Sequence, residues 1–180
     1  MELELLKYPT GKFTIPQDYD TMIINGRIRN IAGFPDRLSA EVIGLSDKQL
    51  GWKYRPDGWN VRQVVHHCAD SHMNAFIRFK LALTEDSPVI KPYFENLVAE
   101  LPDSLESQVE WSLDILSGLH KRWIVLLKNM SEADLARTYI HPEYNKHFEL
   151  RGVVALYSWH CSHHLAHVRQ ALEHQGAFNR

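Results

Sequence analysis

Apolar residues recur every three or four positions along four long stretches of the chain, and this period predicts four helices. The stretches are expected at about 21–44, 61–85, 104–130 and 149–175. Phe34 and Pro35 are expected to kink the first helix, because a proline interrupts the helical hydrogen-bond ladder. The predicted fold class is therefore all-α, a bundle of four long helices preceded by an irregular arm over residues 1–20.

The ends of these stretches carry residues that start and stop helices. Asn60 followed by Gln63 predicts a capped start for the second helix, and Gly176 stands where helices favour a closing glycine. Residues 86–103 contain prolines at 88, 92 and 102 and predict a long connection with one helical turn near 95–100. A connection of that length can join helices that are not antiparallel neighbours.

The second predicted helix combines an apolar stripe with an unusually polar one. Spacings of three and four place six polar residues along one side: Gln63, His67, Asp70, Ser71, Asn74 and Arg78. A helix of this kind either shows its polar side to water or lines a polar cavity.

Histidines concentrate in two clusters, from His66 to His72 and from His160 to His167, and these clusters carry the candidate chemistry. Because His160 and His164 are four residues apart on one helix face, both imidazoles can aim at one point. A third ligand from the first cluster would complete a metal site with a position open to water or substrate. The alternative is a set of core histidines that hydrogen-bond to Tyr157, to Asp70 or to the backbone.

The remaining histidines and both cysteines are expected to have structural roles. His120 is expected in the core or at the surface rather than on a metal, while His163 and His174 should face outward or pack at an edge. Cys68 and Cys161 are interpreted as buried, reduced thiols, because free cysteine is among the most buried residue types.

Length and composition restrict the classes of function. A chain of 180 residues is expected to form one domain over 1–180, with the bundle at about 21–176. The net charge of −2, without a long basic block, argues against nucleic acid as a partner. An acidic start and the absence of an apolar run of about 18 residues argue against a signal peptide and a membrane span. We therefore expect a cytoplasmic protein.

Two long strings of residues, Gly58–Asn74 and Tyr157–His167, strongly resemble the YfiT family within the DinB-like superfamily. The resemblance covers nearly the whole chain, from about Gly44 onward. It implies a DinB-like four-helix bundle with a non-sequential topology and one metal held by three histidines. Carried over by motif, those ligands are His67, His160 and His164.

The same resemblance implies a function. Members of the YfiT family are described as metal-dependent hydrolases, which implies one divalent metal per chain, a small-molecule substrate and a homodimer. Zinc is the first expectation for the metal because imidazole suits it, and nickel accepts the same ligands. Four further residues are candidates for orienting a ligand histidine or for contacting substrate: Asp70, Asn74, Arg78 and Tyr157.

Two alternatives to hydrolysis stay open at this point. Relatives in the superfamily resemble transferases and isomerases that use low-molecular-weight thiols such as bacillithiol, which makes a metal-dependent S-transferase the main alternative. Asp70, Asn74 and Arg78 would then hold a carboxylate or a hydroxyl of the thiol. The other alternative is a non-catalytic binding protein in which the metal only ties helices together.

Overall fold

The computed structural model describes residues 2–179, and most of its regular structure is helical. The elements in chain order are α1 (Leu3–Lys7), α2 (Thr21–Ala32), α3 (Phe34–Val42), α4 (Asp47–Leu50), α5 (Val61–Thr84), α6 (Glu95–Val98), α7 (Pro102–Glu106), α8 (Val109–Lys128), α9 (Glu132–Leu135), β1 (Thr138–His141), β2 (Lys146–Glu149) and α10 (Leu150–Glu173).

The long helices form a bundle in which α2 and α3 together make one member, and α5, α8 and α10 make the other three. Helix α8 packs against α5 on one side and against α2 and α3 on the other, and α10 packs against the same two members. Helices α2 and α5 follow each other as long helices in the chain, yet they lie diagonally across the bundle. The predicted all-α fold with a non-sequential topology is confirmed.

The expected kink in the first helix is a complete break. Helix α2 ends at Ala32, Gly33 separates the two segments, and α3 begins with Pro35 in its first turn. Proline is tolerated there because the first N–H groups of a helix have no partner within the helix. The break also leaves the last carbonyl groups of α2 free to bind side chains.

The structure differs from the sequence prediction at the start of the third long helix and in the loop that follows this helix. The third long helix begins at Val109 rather than near Ser104, because residues 102–106 form the separate helix α7. The loop expected between the third and fourth helices contains an antiparallel hairpin, in which Tyr139 of β1 stacks on Phe148 of β2 with ring centroids 5.7 Å apart. Strands of four residues are too short to show a clear alternating pattern in the sequence.

The buried core lies between the long helices and contains imidazoles as well as apolar side chains. Its largest fully buried members include Phe34, Phe79 and Trp123, and His72 and His120 lie among them. Within the described residues, no helix is both long enough and apolar enough to cross a membrane. That residues 1–180 form a single domain stays a prediction.

The N-terminal arm lies against α10 and contains one short helix, α1, in an otherwise irregular course. The indole N–H of Trp159 donates to the carbonyl of Gly11 at 2.9 Å, and the amide of Gln170 donates to the carbonyl of Leu6 at 3.0 Å. These bonds hold the arm over the part of α10 that carries the histidine cluster.

Candidate metal centre

Three histidines converge where α5 and α10 pack together. One ring nitrogen from each of His67, His160 and His164 lies within 4.8 Å of the others. Across residues 2–179, this is the one set of three or more histidine, cysteine or acidic side chains that converges in this way. A divalent ion bound by three imidazoles would keep at least one coordination position open.

The start of α5 determines where His67 lies. The Asn60 side chain accepts from the Gln63 backbone N–H at 2.9 Å, and the Gln63 side chain accepts from the Asn60 N–H at 3.1 Å. This reciprocal cap, which the sequence predicted, fixes the first turn and places His67 in the second turn. The Trp59 ring packs against His67 with centroids 4.7 Å apart and covers one side of the site.

Burial keeps the three imidazoles neutral. It lowers the pKa of His67 to about 4, and it lowers the pKa values of His160 and His164 well below the usual 6.5. Repulsion from neighbouring imidazoles lowers all three pKa values further. Because a histidine ligates a metal only when it is neutral, these environments favour the form that binds.

A chain of buried histidines continues from His160 into the core, and we call His72 and His120 the inner pair. The distance from His160 Nδ1 to His72 Nε2 is 3.1 Å, and that from His72 Nδ1 to His120 Nε2 is 2.7 Å. This chain of histidines ends where His120 Nδ1 donates to the Ile31 carbonyl at 2.9 Å. His160 is therefore tied to the core through two further imidazoles.

His164 has a corresponding partner on the side of the N-terminal arm. Its Nδ1 lies 3.4 Å from Nδ1 of His167, whose Nε2 donates to the Lys7 carbonyl at 3.1 Å. The Tyr54 ring stacks on His167 with centroids 3.8 Å apart. His167 is thus fixed between α10, the arm and Tyr54.

Tyr157 lies beside the centre, whereas Asp70 and Asn74 do not contact the ligand imidazoles by hydrogen bonds. The Tyr157 hydroxyl donates to the Ser71 carbonyl at 3.1 Å, and Ser71 Oγ lies 3.4 Å from His160 Nε2. Asn74 donates to the Asp70 carbonyl at 2.9 Å. Burial and the nearby Asp103 raise the pKa of the half-buried Asp70 carboxyl.

Arg78 lies farther along α5, in a cleft of about 510 Å³. Eleven residues separate it from His67, which is about 16 Å along a helix axis. The other charged or polar residues of the cleft are Tyr93, Glu95, Asn96, His141, Glu143 and Tyr144. The buried Tyr93 hydroxyl lies near Ser71 and Tyr157, so the cleft approaches the metal centre from the Arg78 side.

The structure shows where three histidines that are not candidate ligands lie. His163 was expected to face outward or to pack at an edge; it does not face outward, because its ring is buried in a stack on Trp159, 4.3 Å away, beneath Tyr8 of the arm. His120 was expected in the core or at the surface, and it lies in the core. His174 is half-buried and packs edge to face on Phe178.

Sequence reasoning missed His72 and His167 as partners of the candidate ligands. A signal existed for His72, because the residues three and four positions away on its helix face are apolar: Cys68, Ala69, Ala75 and Phe76. An imidazole buried among them needs a hydrogen-bond partner. The contact of His72 with His120 joins α5 to α8, however, and no local spacing reports it. Both cysteines are buried as predicted, and burial raises the pKa of each thiol.

The fold and the site together define an all-helical bundle whose candidate centre is made of imidazoles from two packed helices. Residues 32–168 match the family model described as the DinB superfamily. The chain belongs to this superfamily.

Curated relatives and solved structures agree with that membership. A protein of Bacillus mycoides named "Putative metal-dependent hydrolase" is 48% identical over 168 residues, which cover 93% of this chain and 96% of the relative. A relative of the same description from Oceanobacillus iheyensis is 48% identical over 162 residues, 90% of this chain and 93% of the relative.

The structure is similar to that of YfiT from Bacillus subtilis, described as a "probable metal-dependent hydrolase with an unusual four-helix bundle topology". The TM-score is 0.92 at 39% identity, over 96% of this chain and 98% of YfiT. A mycothiol-dependent maleylpyruvate isomerase shares the fold with a TM-score of 0.55 at 14% identity, over 85% of this chain and 63% of the isomerase.

Proposed function

We propose that the chain is a metal-dependent enzyme, a hydrolase in the first instance, in which His67, His160 and His164 bind one divalent ion. The observation that carries this proposal is the convergence of three imidazoles to within 4.8 Å, with His67 and His164 buried and His160 half-buried. Their pKa values, lowered by burial, leave the three rings neutral at pH 7, which is the form that coordinates a metal. The donor set suits zinc first, and nickel as well.

The bound ion would act as a Lewis acid that activates a coordinated water or thiol at neutral pH. The chain's own residues supply the rest of the site. Trp59 covers one side of His67, and the Tyr157 hydroxyl is held on the Ser71 carbonyl beside His160. The cleft with Arg78 would bind a small molecule on the same helix as His67.

A thiol S-transferase is the second candidate, and the charges of the cleft favour it. Arg78 stands there with Glu95 and Glu143, so the cleft offers groups of both signs to a substrate. A low-molecular-weight thiol that carries both an amine and a carboxylate would match that pattern. The fold shared with a mycothiol-dependent isomerase is compatible with this candidate.

A purely structural metal site is supported less well. Structural zinc sites usually have four protein ligands, and within residues 2–179 three such side chains converge. A position left open is what a catalytic site requires. The expected homodimer and cytoplasmic location stay predictions, and sedimentation equilibrium of the purified protein tests the first.

The test of the proposed function joins metal content to turnover. Protein loaded with zinc or nickel is assayed with 4-nitrophenyl acetate for hydrolysis, and with monochlorobimane in the presence and absence of L-cysteine for S-transfer. A hydrolase needs no thiol, whereas a transferase shows a rate that saturates with thiol concentration. Turnover that survives removal of the metal by a chelator would contradict both enzymatic proposals.

A further inference from the structure

We propose that two chains of histidines, each ending on a backbone carbonyl, fix the tautomers of His160 and His164 and so present Nε2 of both rings to the metal. The inference rests on the proposed metal site for its purpose, but the tautomers themselves follow from hydrogen bonds alone. A carbonyl oxygen only accepts, so the ring nitrogen that contacts it must carry the proton.

The inner pair determines the tautomer of His160. Because His120 Nδ1 donates to the Ile31 carbonyl, its Nε2 holds a lone pair and accepts the proton of His72 Nδ1. His72 Nε2 then holds a lone pair and accepts from His160 Nδ1. His160 is left with an unprotonated Nε2. At the pH of 8 used in the test below, which lies above the ordinary imidazole pKa of about 6.5, each neutral ring offers one N–H and one lone pair.

The outer chain gives the same result for His164 by a different route. His167 uses Nε2 to donate to the Lys7 carbonyl, so its Nδ1 holds the lone pair. That nitrogen accepts from His164 Nδ1, which leaves Nε2 of His164 unprotonated. Among these five rings, His167 is therefore the one that carries its proton on Nε2.

The carbonyls of Ile31 and Lys7, on which the two chains of histidines end, can accept these hydrogen bonds because they lie at helix ends. Ile31 is in the last turn of α2, where Gly33 ends the helix, and Lys7 is the last residue of α1. The last four carbonyls of a helix have no partner within it. The break at Gly33 thus provides the acceptor that orients His160, and the arm provides the one that orients His164.

The two chains of histidines differ in the strength of their hydrogen bonds. The inner contacts are 3.1, 2.7 and 2.9 Å, within the normal range for hydrogen bonds, while the contact between His164 and His167 is 3.4 Å and weak. The partner of a ligating histidine typically changes metal affinity by about 10–100-fold. We therefore expect the inner pair to matter more for affinity than His167.

Nitrogen-15 NMR of metal-free, histidine-labelled protein at pH 8 tests the tautomers directly. The protonated and unprotonated nitrogens of a neutral imidazole have well-separated shifts, and the His72→Gln and His167→Gln variants assign the signals. The expected result is a proton on Nδ1 of His160, His164, His72 and His120, and on Nε2 of His167. A proton on Nε2 of His160 or His164 would overturn the inference.

Zinc affinity, measured by competition with a chromophoric chelator, tests the consequence. His72→Phe removes the acceptor for His160 and should weaken zinc binding by about 10–100-fold. His72→Gln offers both an acceptor and a donor, so it should recover most of that loss. Equal affinities in the two variants would contradict the inference.

His66→Phe is the matched control. His66 is a buried histidine of α5 that contacts Ser112 at 2.7 Å and no candidate ligand, so its replacement should leave zinc affinity unchanged. Wild-type protein that shows the expected tautomers but binds no stoichiometric zinc would sink the proposed function and support the tautomer inference. Protein that binds one equivalent of zinc but shows different tautomers would support the proposed metal site and overturn the tautomer inference.

Discussion

The candidate metal centre and the Arg78 cleft share helix α5, yet they are built in opposite ways. The centre consists of neutral imidazoles on α5 and α10, two of them buried and that of His160 half-buried. The cleft is partly open and carries charges of both signs, with Arg78 on α5 and Glu143 in the turn of the hairpin. Rigid packed helices suit ligands that must keep their geometry, while loops allow a substrate site to vary.

This difference suggests a division of roles. The centre would bind the ion whichever substrate is used, since none of its histidines lines the cleft. The cleft would decide which molecule reaches the ion. The predictions below test whether metal binding and substrate recognition separate in this way.

The largest expected effect is loss of metal when a candidate ligand is removed. His67→Ala, His160→Ala and His164→Ala should each lower zinc affinity by more than the roughly 100-fold seen at most for partners of ligating histidines. Elemental analysis after dialysis against a mild chelator measures the retained metal. His66→Ala should retain it. If all three variants kept one equivalent, the ligand assignment would be wrong.

Acidification should destabilise the metal-free protein, and the buried histidines of the inner pair should contribute much of that effect. Burial lowers the pKa of His120 to about 4 and that of His72 well below 6.5, so the unfolded chain binds more protons than the folded one between pH 6.5 and 4. Each such histidine removes about 1.4 kcal/mol of the free energy of unfolding per pH unit as the pH falls through that window.

For Glu95 in the cleft, the free energy of unfolding changes with pH in the opposite direction. Burial raises the pKa of this carboxyl, so the folded state binds its proton more readily than the unfolded chain does. Denaturant titrations at several pH values should therefore show a net fall in stability below pH 6.5. A free energy of unfolding that stays constant from pH 7 to pH 5 would contradict the buried, neutral state of the histidines.

A change in the cleft should alter substrate binding without altering the metal. Arg78→Gln removes the cation, and a lost charge-assisted hydrogen bond of about 1.5–3 kcal/mol would raise KM by roughly 10–100-fold for an anionic substrate. Arg78→Lys serves as the charge-preserving comparison. Metal content should match wild type in both variants. Loss of metal in Arg78→Gln would contradict the separation of the two regions.

Only a small effect on metal binding is expected at Asp70. Its side chain contacts no ligand imidazole by a hydrogen bond within residues 2–179, so Asp70→Asn should change zinc affinity by less than about 10-fold, the lower end for a ligand's partner. The competition titration used for the His72 variants measures it. A loss as large as that of His72→Phe would restore Asp70 as the residue that orients a ligand.

The sequence by itself determined the helices and the candidate ligands. Four long apolar periods, the Asn60–Gln63 cap and the spacing of His160 and His164 are local patterns, because each reflects helix geometry over a few residues. The convergence of His67 with that pair was expected from a scarcity of other histidine clusters and from a family resemblance.

The tertiary structure alone decided what surrounds those ligands. The contact of His72 with His120 joins two helices, and that of His167 with Lys7 joins positions 160 residues apart in the chain. The hairpin that completes the cleft and the arm that buries His163 are also placed by packing against other elements. Such contacts depend on which helices become neighbours, and hydrophobic periodicity specifies the face of a helix but not its partner.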